Sequence, residues 1–142
     1  AEHLHGHAGD VITFDRARFI APDYTERANS LVLAIAQIET AQGLENVEDI
    51  AKVPGLDMLY IGPSDLGISI GREGRMDQTD PVVVKAIDRI LEVAKKNNLR
   101  AGIFCISPSY SKSMLNKGFD LVTVASDAGF LGLGAELRRQ FS

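Results

Sequence analysis

Four short runs of apolar residues, rich in β-branched side chains, stand out along the chain. None of the four alternates strictly between apolar and polar positions. Near-continuous apolar runs are typical of strands that are covered on both faces, as in parallel sheets. We therefore predict four buried strands, at Leu31–Ile38, Met58–Ile61, Ala101–Ile106 and Leu121–Ala125.

Helical patterns separate the predicted strands. The clearest is "DPVVVKAIDRILEVAKKNN", in which Asp80 is the expected N-cap, Pro81 takes the first helical position and two lysines fall in the last turn. Its apolar residues recur at helical spacing, as in an amphipathic helix. Shorter helices are predicted over residues 22–29, from Asn46 through "VEDIAKV", over Ser109–Asn116 and over Leu133–Phe141.

The order of these elements indicates the fold class. Helices and strands alternate throughout, and such alternation implies right-handed βαβ units around a parallel sheet. This α/β pattern fits a doubly wound sheet, or half of a (β/α)8 TIM barrel, which takes about 250 residues in full. Residues 66–79 form the longest irregular link, which follows the carboxyl end of a strand, where the functional loops of barrels lie.

Composition narrows the classes of function. The 142 residues carry a formal net charge of −4 and the basic residues are scattered, so we expect no nucleic-acid partner. No apolar stretch approaches the ~20 residues of a membrane span, and the sequence begins without the apolar region of a secretory signal. The single cysteine, Cys105, fits a reducing, cytoplasmic compartment, and its position in a predicted strand indicates a packing role.

Two predicted strands end in polar side chains. Gln37 and Glu39 close the first strand, and Ser64 and Asp65 follow the second. Because neighbouring parallel strands end at the same edge of the sheet, Glu39 and Asp65 should lie at one rim. Paired carboxylates repel unless a cation or a proton intervenes, and Mg²⁺ accepts one or two of them. The structural alternative is that Glu39 caps the next helix and Asp65 closes an Asx-type turn.

The turn "GPSDLG" adds a second feature at the same rim. Gly62 lets the backbone approach a ligand closely, and Pro63 stiffens the turn. The backbone N–H groups of Ser64 and Asp65 could then face an anion such as a substrate carboxylate, although the turn also fits a plain strand-to-helix connection. Gln37 should point to the same side of its strand as the carboxylate two residues later. Its amide could bind the same substrate or complete a polar layer in the core.

The segment "AQIETAQGLENVEDIAKVPGLDMLYIGPSDLGISIG" closely resembles the HpcH/HpaI aldolase family. These are metal-dependent class II aldolases of 2-oxo acids, such as 4-hydroxy-2-oxo-heptanedioate aldolase and 2-dehydro-3-deoxyglucarate aldolase. Two motifs, the helix between them and their spacing agree. The resemblance extends more loosely over roughly residues 20–140. It implies that residues 20–142 form the C-terminal half of a TIM-barrel aldolase domain, after a leader of uncertain structure over residues 1–19.

The resemblance also implies roles for individual residues. Glu39 and Asp65 match the two metal ligands of the family, for Mg²⁺ or for Mn²⁺ or Co²⁺. Gln37 matches a substrate-contacting glutamine, and Ser64 and Asp65 match the backbone that receives the pyruvate carboxylate, within the turn that Gly62 begins. In the family the metal stabilises the pyruvate enolate as a carbon–carbon bond breaks or forms. The implied activity is cleavage of a 4-hydroxy-2-oxo acid to pyruvate and an aldehyde.

The resemblance has gaps as well. No stretch matches the family's first half, which carries the catalytic histidine, its partner aspartate and a substrate-binding arginine, so we assign no catalytic residue. His3, His5 and His7 could place three imidazoles on one face of a strand for a transition metal, but the resemblance gives them no role. Four strands alone leave two unpaired edges, so we expect part of a longer enzyme or self-association. Family members form trimers and hexamers of identical chains, which we expect here.

Three other functions stay open at this point. The first is a lyase of the citrate lyase β-subunit or malyl-CoA type, which shares the barrel and the paired carboxylates. The second is a synthase of the same fold that decarboxylates oxaloacetate and uses the resulting enolate to form a carbon–carbon bond. The third belongs to another class: a non-catalytic half barrel that binds a metal ion or a 2-oxo acid.

Overall fold

The computed structural model describes residues 23–139, which fall into two units, 23–33 and 34–139. The first unit contains helix α1, Tyr24–Leu31. The second unit holds four strands and six helices among its described residues. In chain order these are β1 Ile35–Ile38, α2 Ala41–Glu45, α3 Val47–Ile50, β2 Met58–Ile61, α4 Pro63–Ser69, α5 Pro81–Lys96, β3 Arg100–Ile103, α6 Pro108–Lys117, β4 Leu121–Val122 and α7 Asp127–Arg139.

The four strands form one parallel sheet in the order β1-β2-β3-β4. The α/β fold class predicted from the sequence is therefore confirmed. The register aligns the last residues of the strands, because Ile38 pairs with Ile61, Ile61 with Ile103 and Ile103 with Val122. All four strands thus end at one edge of the sheet, and the residues that follow them lie side by side there.

Three of the predicted strands are longer than those observed. Leu31 ends helix α1, and β1 begins only at Ile35, although the carbonyl of Ala34 already accepts from the N–H of Asp57 at 2.9 Å. At the end of β3, the N–H of Cys105 donates to the Thr123 hydroxyl and the N–H of Ile106 donates to the Asp77 carboxylate. These two N–H groups bond to side chains and not to the backbone of a neighbouring strand. The strand therefore ends at residue 103, although the apolar run continues. The fourth strand is likewise limited to residues 121–122.

Helix α5 follows the prediction closely. The Asp80 side chain accepts a hydrogen bond from the N–H of Val82 at 2.8 Å, and Pro81 opens the helix. Lys95 and Lys96 lie in the last turn, where positive charge is favourable. The helix packs on β2 and β3. Its buried face consists of Val83, Ala86, Ile87, Ile90, Val93 and Ala94.

Other helices differ from the prediction at their ends. The predicted link over residues 66–79 is helical in its first part, because Pro63 starts helix α4 and Ser69 ends it. The terminal helix starts at Asp127 rather than at Leu133. Helix α2 was not predicted; the Thr40 hydroxyl caps it by accepting from the N–H of Gly43 at 2.9 Å.

The core lies between the sheet and the helices. Leu59, Ile61 and Ile103 are fully buried, and each such side chain contributes roughly 1.5–3 kcal/mol when it leaves water. Cys105 belongs to the same core cluster, as its predicted packing role requires. Burial raises the pKa of its thiol to about 11, so the group stays protonated at neutral pH. None of the helices in the described part of the chain is both long and apolar enough to cross a membrane.

Candidate active site

The end of β1 carries the first predicted pair of polar residues. The Gln37 amide Nε2 donates a hydrogen bond to Oε2 of Glu39 at 2.5 Å, so the two side chains lie on the same side of the strand. Helix α2, which follows, is capped by Thr40. The alternative in which Glu39 serves as the helix cap is therefore wrong. Glu39 is only partly exposed, and its carboxylate is oriented by a neighbouring amide.

Gly62, at the end of β2, gives the Glu39 carboxylate its space. A Cβ atom at position 62 would lie 2.8 Å from Oε2 of Glu39 and 3.1 Å from Nε2 of Gln37. A separation of 2.8 Å is closer than a carbon and an oxygen can approach without displacement. The sequence predicted that this glycine permits close approach of a ligand; the group that approaches it here is the carboxylate of the neighbouring strand.

The turn after β2 is the start of helix α4. Gly62 is its N-cap residue, Pro63 is its first residue and Asp65 lies in its first turn. Leu66 N–H donates to the carbonyl of Gly62 at 2.9 Å, as the helical pattern requires. The N–H groups of Ser64 and Asp65 therefore precede the first hydrogen bond of the helix. The Asx-type turn considered for Asp65 is replaced by a regular helix start.

One pocket of about 280 Å³ collects most of the predicted residues. Eight side chains or backbone segments line it: Gln37, Tyr60, Gly62, Pro63, Ser64, Asp65, Met76 and Phe104. All five predicted substrate-binding residues are among them. The carboxylate of Glu39 accepts a hydrogen bond from Gln37 and lies beside Gly62.

Tyr60, Met76 and Phe104 are the lining residues that the sequence did not indicate. Tyr60 pairs with Gln37 in the β1–β2 register and with Gly102 in the β2–β3 register. A Cβ atom at Gly102 would lie 2.6 Å from Cδ2 of Tyr60, so this glycine leaves room for the tyrosine ring. A glycine within a predicted buried strand was the available signal, since it often marks close packing by a neighbour.

Tyr60, Met76 and Phe104 form the apolar wall of the pocket. The protonation state of Tyr60 follows from its burial. Burial raises the pKa of Tyr60, and a side-chain hydrogen bond with Thr123 opposes that shift only in part. Tyr60 is therefore a neutral phenol at physiological pH that can donate a hydrogen bond. Beside this apolar wall, the residues Gln37, Ser64 and Asp65 supply the polar groups of the pocket.

A larger groove, of about 690 Å³, lies along helix α7. It is lined by Phe130, Leu131, Gly134, Ala135, Arg138 and Arg139. Among the described residues, this lining contains no carboxylate or amide side chain that could hold a metal ion. The smaller pocket is the better candidate for chemistry because it combines a carboxylate, an amide and a helix start.

The predicted metal ligands are two carboxylates at this edge of the sheet. In the part of the chain that the structure describes, no group of three or more His, Cys, Asp or Glu side chains is arranged to hold a metal ion. Glu39 and Asp65 contribute one carboxylate each. A pair of carboxylates that leaves further positions to water and substrate oxygens fits Mg²⁺, which rarely binds in an all-protein cage. The predicted alternative ligands His3, His5 and His7 lie outside the described residues.

Comparison with known proteins identifies relatives of the chain. Residues 7–132 match the sequence model of a family described as HpcH/HpaI aldolase/citrate lyase. The chain is 38% identical over 112 residues to a hydroxypyruvate/pyruvate aldolase from Rhizorhabdus wittichii, over 79% of this chain and 45% of the relative. It is 35% identical over 115 residues to a 5-keto-4-deoxy-D-glucarate aldolase from Escherichia fergusonii, over 81% of this chain and 44% of the relative.

A solved structure supports the same grouping. The crystal structure of an HpcH/HpaI aldolase/citrate lyase family protein from Burkholderia cenocepacia J2315 superposes with a TM-score of 0.75 at 35% identity, over 83% of this chain and 45% of that protein. The chain thus spans about half the length of the relatives that it matches. Because the family match covers most of the sequence and the fold agrees, the chain belongs to the HpcH/HpaI aldolase/citrate lyase family.

Proposed function

We propose that the chain is part of a divalent-metal-dependent aldolase that cleaves a 4-hydroxy-2-oxo acid to pyruvate and an aldehyde. The observation that carries the proposal is the pocket at the carboxyl edge of the sheet, where Gln37 and the turn from Gly62 to Asp65 meet beside the Glu39 carboxylate. The two aldolase relatives support this class of reaction. Because the chain spans about half of their length, the proposal concerns the whole enzyme.

In this proposal the turn binds the carboxylate of the substrate. The N–H groups of Ser64 and Asp65 lie at the start of α4, before its first helical hydrogen bond, and are available to an anion. Gln37 lines the same pocket, so its side-chain amide can contact a 2-oxo acid held there. The proposed result is that the carboxylate end of the substrate lies at the turn.

Glu39 and Asp65 would hold the metal ion, which is Mg²⁺, Mn²⁺ or Co²⁺ in this proposal. When bound, the ion supplies Lewis-acid stabilisation of the negative charge that develops on the 2-oxo group. Gln37 orients the Glu39 carboxylate through its hydrogen bond, as residues behind metal ligands commonly do. Gly62 keeps the space beside that carboxylate free.

The apolar wall would contact the apolar part of the substrate in this proposal. Tyr60, Met76 and Phe104 contribute aromatic and thioether groups to it. Tyr60 stays protonated because burial raises its pKa, so it donates hydrogen bonds but does not act as a base at neutral pH. We assign the general base to a part of the enzyme outside this chain, since nothing here matches the family's catalytic histidine.

Decarboxylation of oxaloacetate is the first test, because it requires the pyruvate enolate to be stabilised but needs no aldehyde. We expect full-length wild-type protein with Mg²⁺ or Mn²⁺ to be active, and chelator or Asp65→Ala to lower the rate by about 100-fold. Asp49→Ala is the matched control, because Asp49 is an exposed acid on α3 whose ion pair with Lys52 spans 3.0 Å at the surface. Chelator-resistant decarboxylation, or equal losses in the two variants, would contradict the proposal.

A lyase that acts on CoA thioesters is the second candidate. The family description joins aldolases and citrate lyases. In this candidate the same carboxylate pair, Glu39 and Asp65, would serve the lyase reaction. Turnover of a malyl-type or citryl-type CoA thioester that exceeds turnover of every 4-hydroxy-2-oxo acid would favour this candidate. Metal binding without turnover of either substrate class, in the full-length protein, would instead favour a binding module.

A further inference from the structure

The loop between α4 and α5 packs directly on the turn that forms the pocket. A Cβ atom at Gly67, in α4, would lie 2.8 Å from the carbonyl oxygen of Glu73 in the loop. A Cβ atom at Gly74 would lie 2.8 Å from Cδ1 of Ile68 and 3.1 Å from the hydroxyl of Ser64. Two glycines thus allow the loop and the helix to approach closely. The position of the loop and the position of the Ser64 turn are therefore linked.

Gln78 connects the loop to this turn through hydrogen bonds of its side chain. Its side chain is only 2% exposed, and its Nε2 donates to the carbonyl of Glu73 at 2.9 Å and to the carbonyl of Pro63 at 3.4 Å. Its Oε1 is buried and has no hydrogen-bond partner among the described residues. An unpaired buried acceptor lowers stability, whereas the two hydrogen bonds donated by Nε2 stabilise the contact between the loop and the turn.

Asp77 connects the same loop to the segment after β3. Its Oδ1 accepts from the N–H of Ile106 at 2.9 Å, and its Oδ2 accepts from the N–H of Ser107 at 3.1 Å. The residue before it, Met76, lines the pocket, and Phe104, which lines it too, lies shortly before Ile106. A single carboxylate therefore joins the two segments that carry the apolar wall.

We propose that Asp77 and Gln78 are positioning residues that together form a clamp. Asp77 holds the Met76 segment against the Phe104 segment, and Gln78 holds the loop against the turn of Pro63 and Ser64. Neither side chain lines the pocket itself, so both act through the residues that do. The clamp sets how tightly the pocket closes around a 2-oxo acid, and in this respect it rests on the proposed function.

The test uses the full-length protein with Asp77→Ala, Asp77→Asn and Gln78→Met. Asp77→Asn keeps one acceptor oxygen, and Gln78→Met keeps the volume but removes the donor. Oxalate is the binding probe in calorimetry with Mg²⁺. It is a dianion that resembles the carboxylate and the adjacent 2-oxo group of a 2-oxo acid. We expect oxalate affinity to fall about tenfold in Asp77→Ala, which loses both backbone hydrogen bonds to the carboxylate, and in Gln78→Met, which loses both hydrogen bonds donated by Nε2. The fall should be smaller in Asp77→Asn, which keeps one acceptor oxygen. Asp49→Ala is the control without an effect.

Two further readouts separate positioning from general stability. The KM for oxaloacetate should rise about tenfold in Asp77→Ala while kcat changes less, because the clamp shapes binding rather than the reacting groups. Amide hydrogen exchange at Ile106 and Ser107 should accelerate about tenfold, because both N–H groups lose their acceptors. Unchanged exchange at these two amides overturns the clamp. Faster exchange with unchanged oxalate affinity and unchanged KM overturns its positioning role.

Failure of the proposed function gives a different result. The aldolase assignment would be refuted if the wild-type protein neither binds oxalate nor decarboxylates oxaloacetate. In that case hydrogen exchange at Ile106 and Ser107 alone would show whether the clamp exists. If Asp77→Ala does not fold, Asp77→Asn gives the same measurements, with loss of one of the two N–H contacts as the expected result.

Discussion

The two edges of the sheet use carboxylates in opposite ways. At the edge where the strands begin, Asp57 and Asp120 accept hydrogen bonds from the backbone of the neighbouring strand. At the edge where the strands end, the Glu39 carboxylate meets a side-chain amide and Asp65 lines a pocket. The acids at the first edge form hydrogen bonds with backbone N–H groups of the sheet. Glu39 and Asp65, at the second edge, have their interactions within or beside a cavity.

The first edge shows what a structural acid looks like in this fold. Asp57 accepts from the N–H of Ala34 at 2.8 Å, and its own backbone bonds to Ala34 and Arg100 on either side. Asp120 accepts from the N–H of Ala101 at 2.8 Å and from Lys95 Nζ at 2.6 Å. In barrels, residues at this edge contribute to stability, whereas residues at the opposite edge perform the chemistry. Substitution of Asp57 or Asp120 should therefore lower stability, whereas substitution of Glu39 or Asp65 should lower activity.

Glu39→Gln should produce the largest effect. The substitution preserves shape but removes the charge that would hold the metal ion, so metal-dependent decarboxylation by the full-length enzyme should fall about 10²- to 10³-fold. The free energy of unfolding should change by no more than about 0.5 kcal/mol, because the hydrogen bond to Glu39 among the described residues comes from a side-chain amide and not from the backbone. Asp57→Asn is the reciprocal variant, with lower stability and retained activity. Equal activity of wild type and Glu39→Gln would contradict the proposed role of Glu39 in activity.

Gly62→Ala should give the next largest effect. The backbone at Gly62 has φ −95° and ψ 88°, so alanine is not excluded by a left-handed conformation. The added methyl group instead meets Oε2 of Glu39 at 2.8 Å and must displace that carboxylate. We expect a 10- to 100-fold loss of kcat/KM, since small displacements of a reacting group have effects of about this size.

Gly132→Ala is the matched control for that substitution. Gly132 lies in helix α7, and a Cβ atom there would meet no atom within 4 Å. Alanine at this position should leave kcat/KM unchanged and raise helix stability by up to about 1 kcal/mol. A similar loss of activity in the two variants would show that the close approach at Gly62 is not the cause.

The sequence allowed most of the fold and of the polar half of the pocket to be predicted. A carboxylate directly after a buried parallel strand is visible as an interruption of an apolar run, and this signal located Glu39 and Asp65. The apolar wall gave no such signal. Tyr60 lies within an apolar run, and Met76 lies in a link without periodicity. The path of that link depends on Asp77 contacting backbone groups 29 and 30 residues away. Long-range contacts of this kind are not encoded in local spacing.

Asp120→Asn should give the smallest effect, on stability and not on activity. The Lys95 ammonium and the N–H of Ala101 both stabilise the ionised carboxylate, and they lower the pKa of Asp120 in the folded protein. The side chain is 39% exposed, so water screens the pair and the expected loss at neutral pH is about 1 kcal/mol. Asp88→Asn is the control, because Asp88 forms an ion pair with Lys117 between two helices at the surface.

The dependence of this loss on pH distinguishes an ionic contact from a packing effect. Because the pKa of Asp120 is lower in the folded state than its unfolded value of about 3.9, the folded state binds fewer protons in the interval between the two. The stabilisation is therefore fully present above the unfolded pKa and is lost as the pH falls through the folded pKa. Urea unfolding of wild type and Asp120→Asn should differ most near pH 7 and converge at an acidic pH below the folded pKa of Asp120. A deficit that is equal at both pH values would mean that the edge where the strands begin is stabilised by packing around Asp120, and the contrast between the two edges would no longer be one of charge.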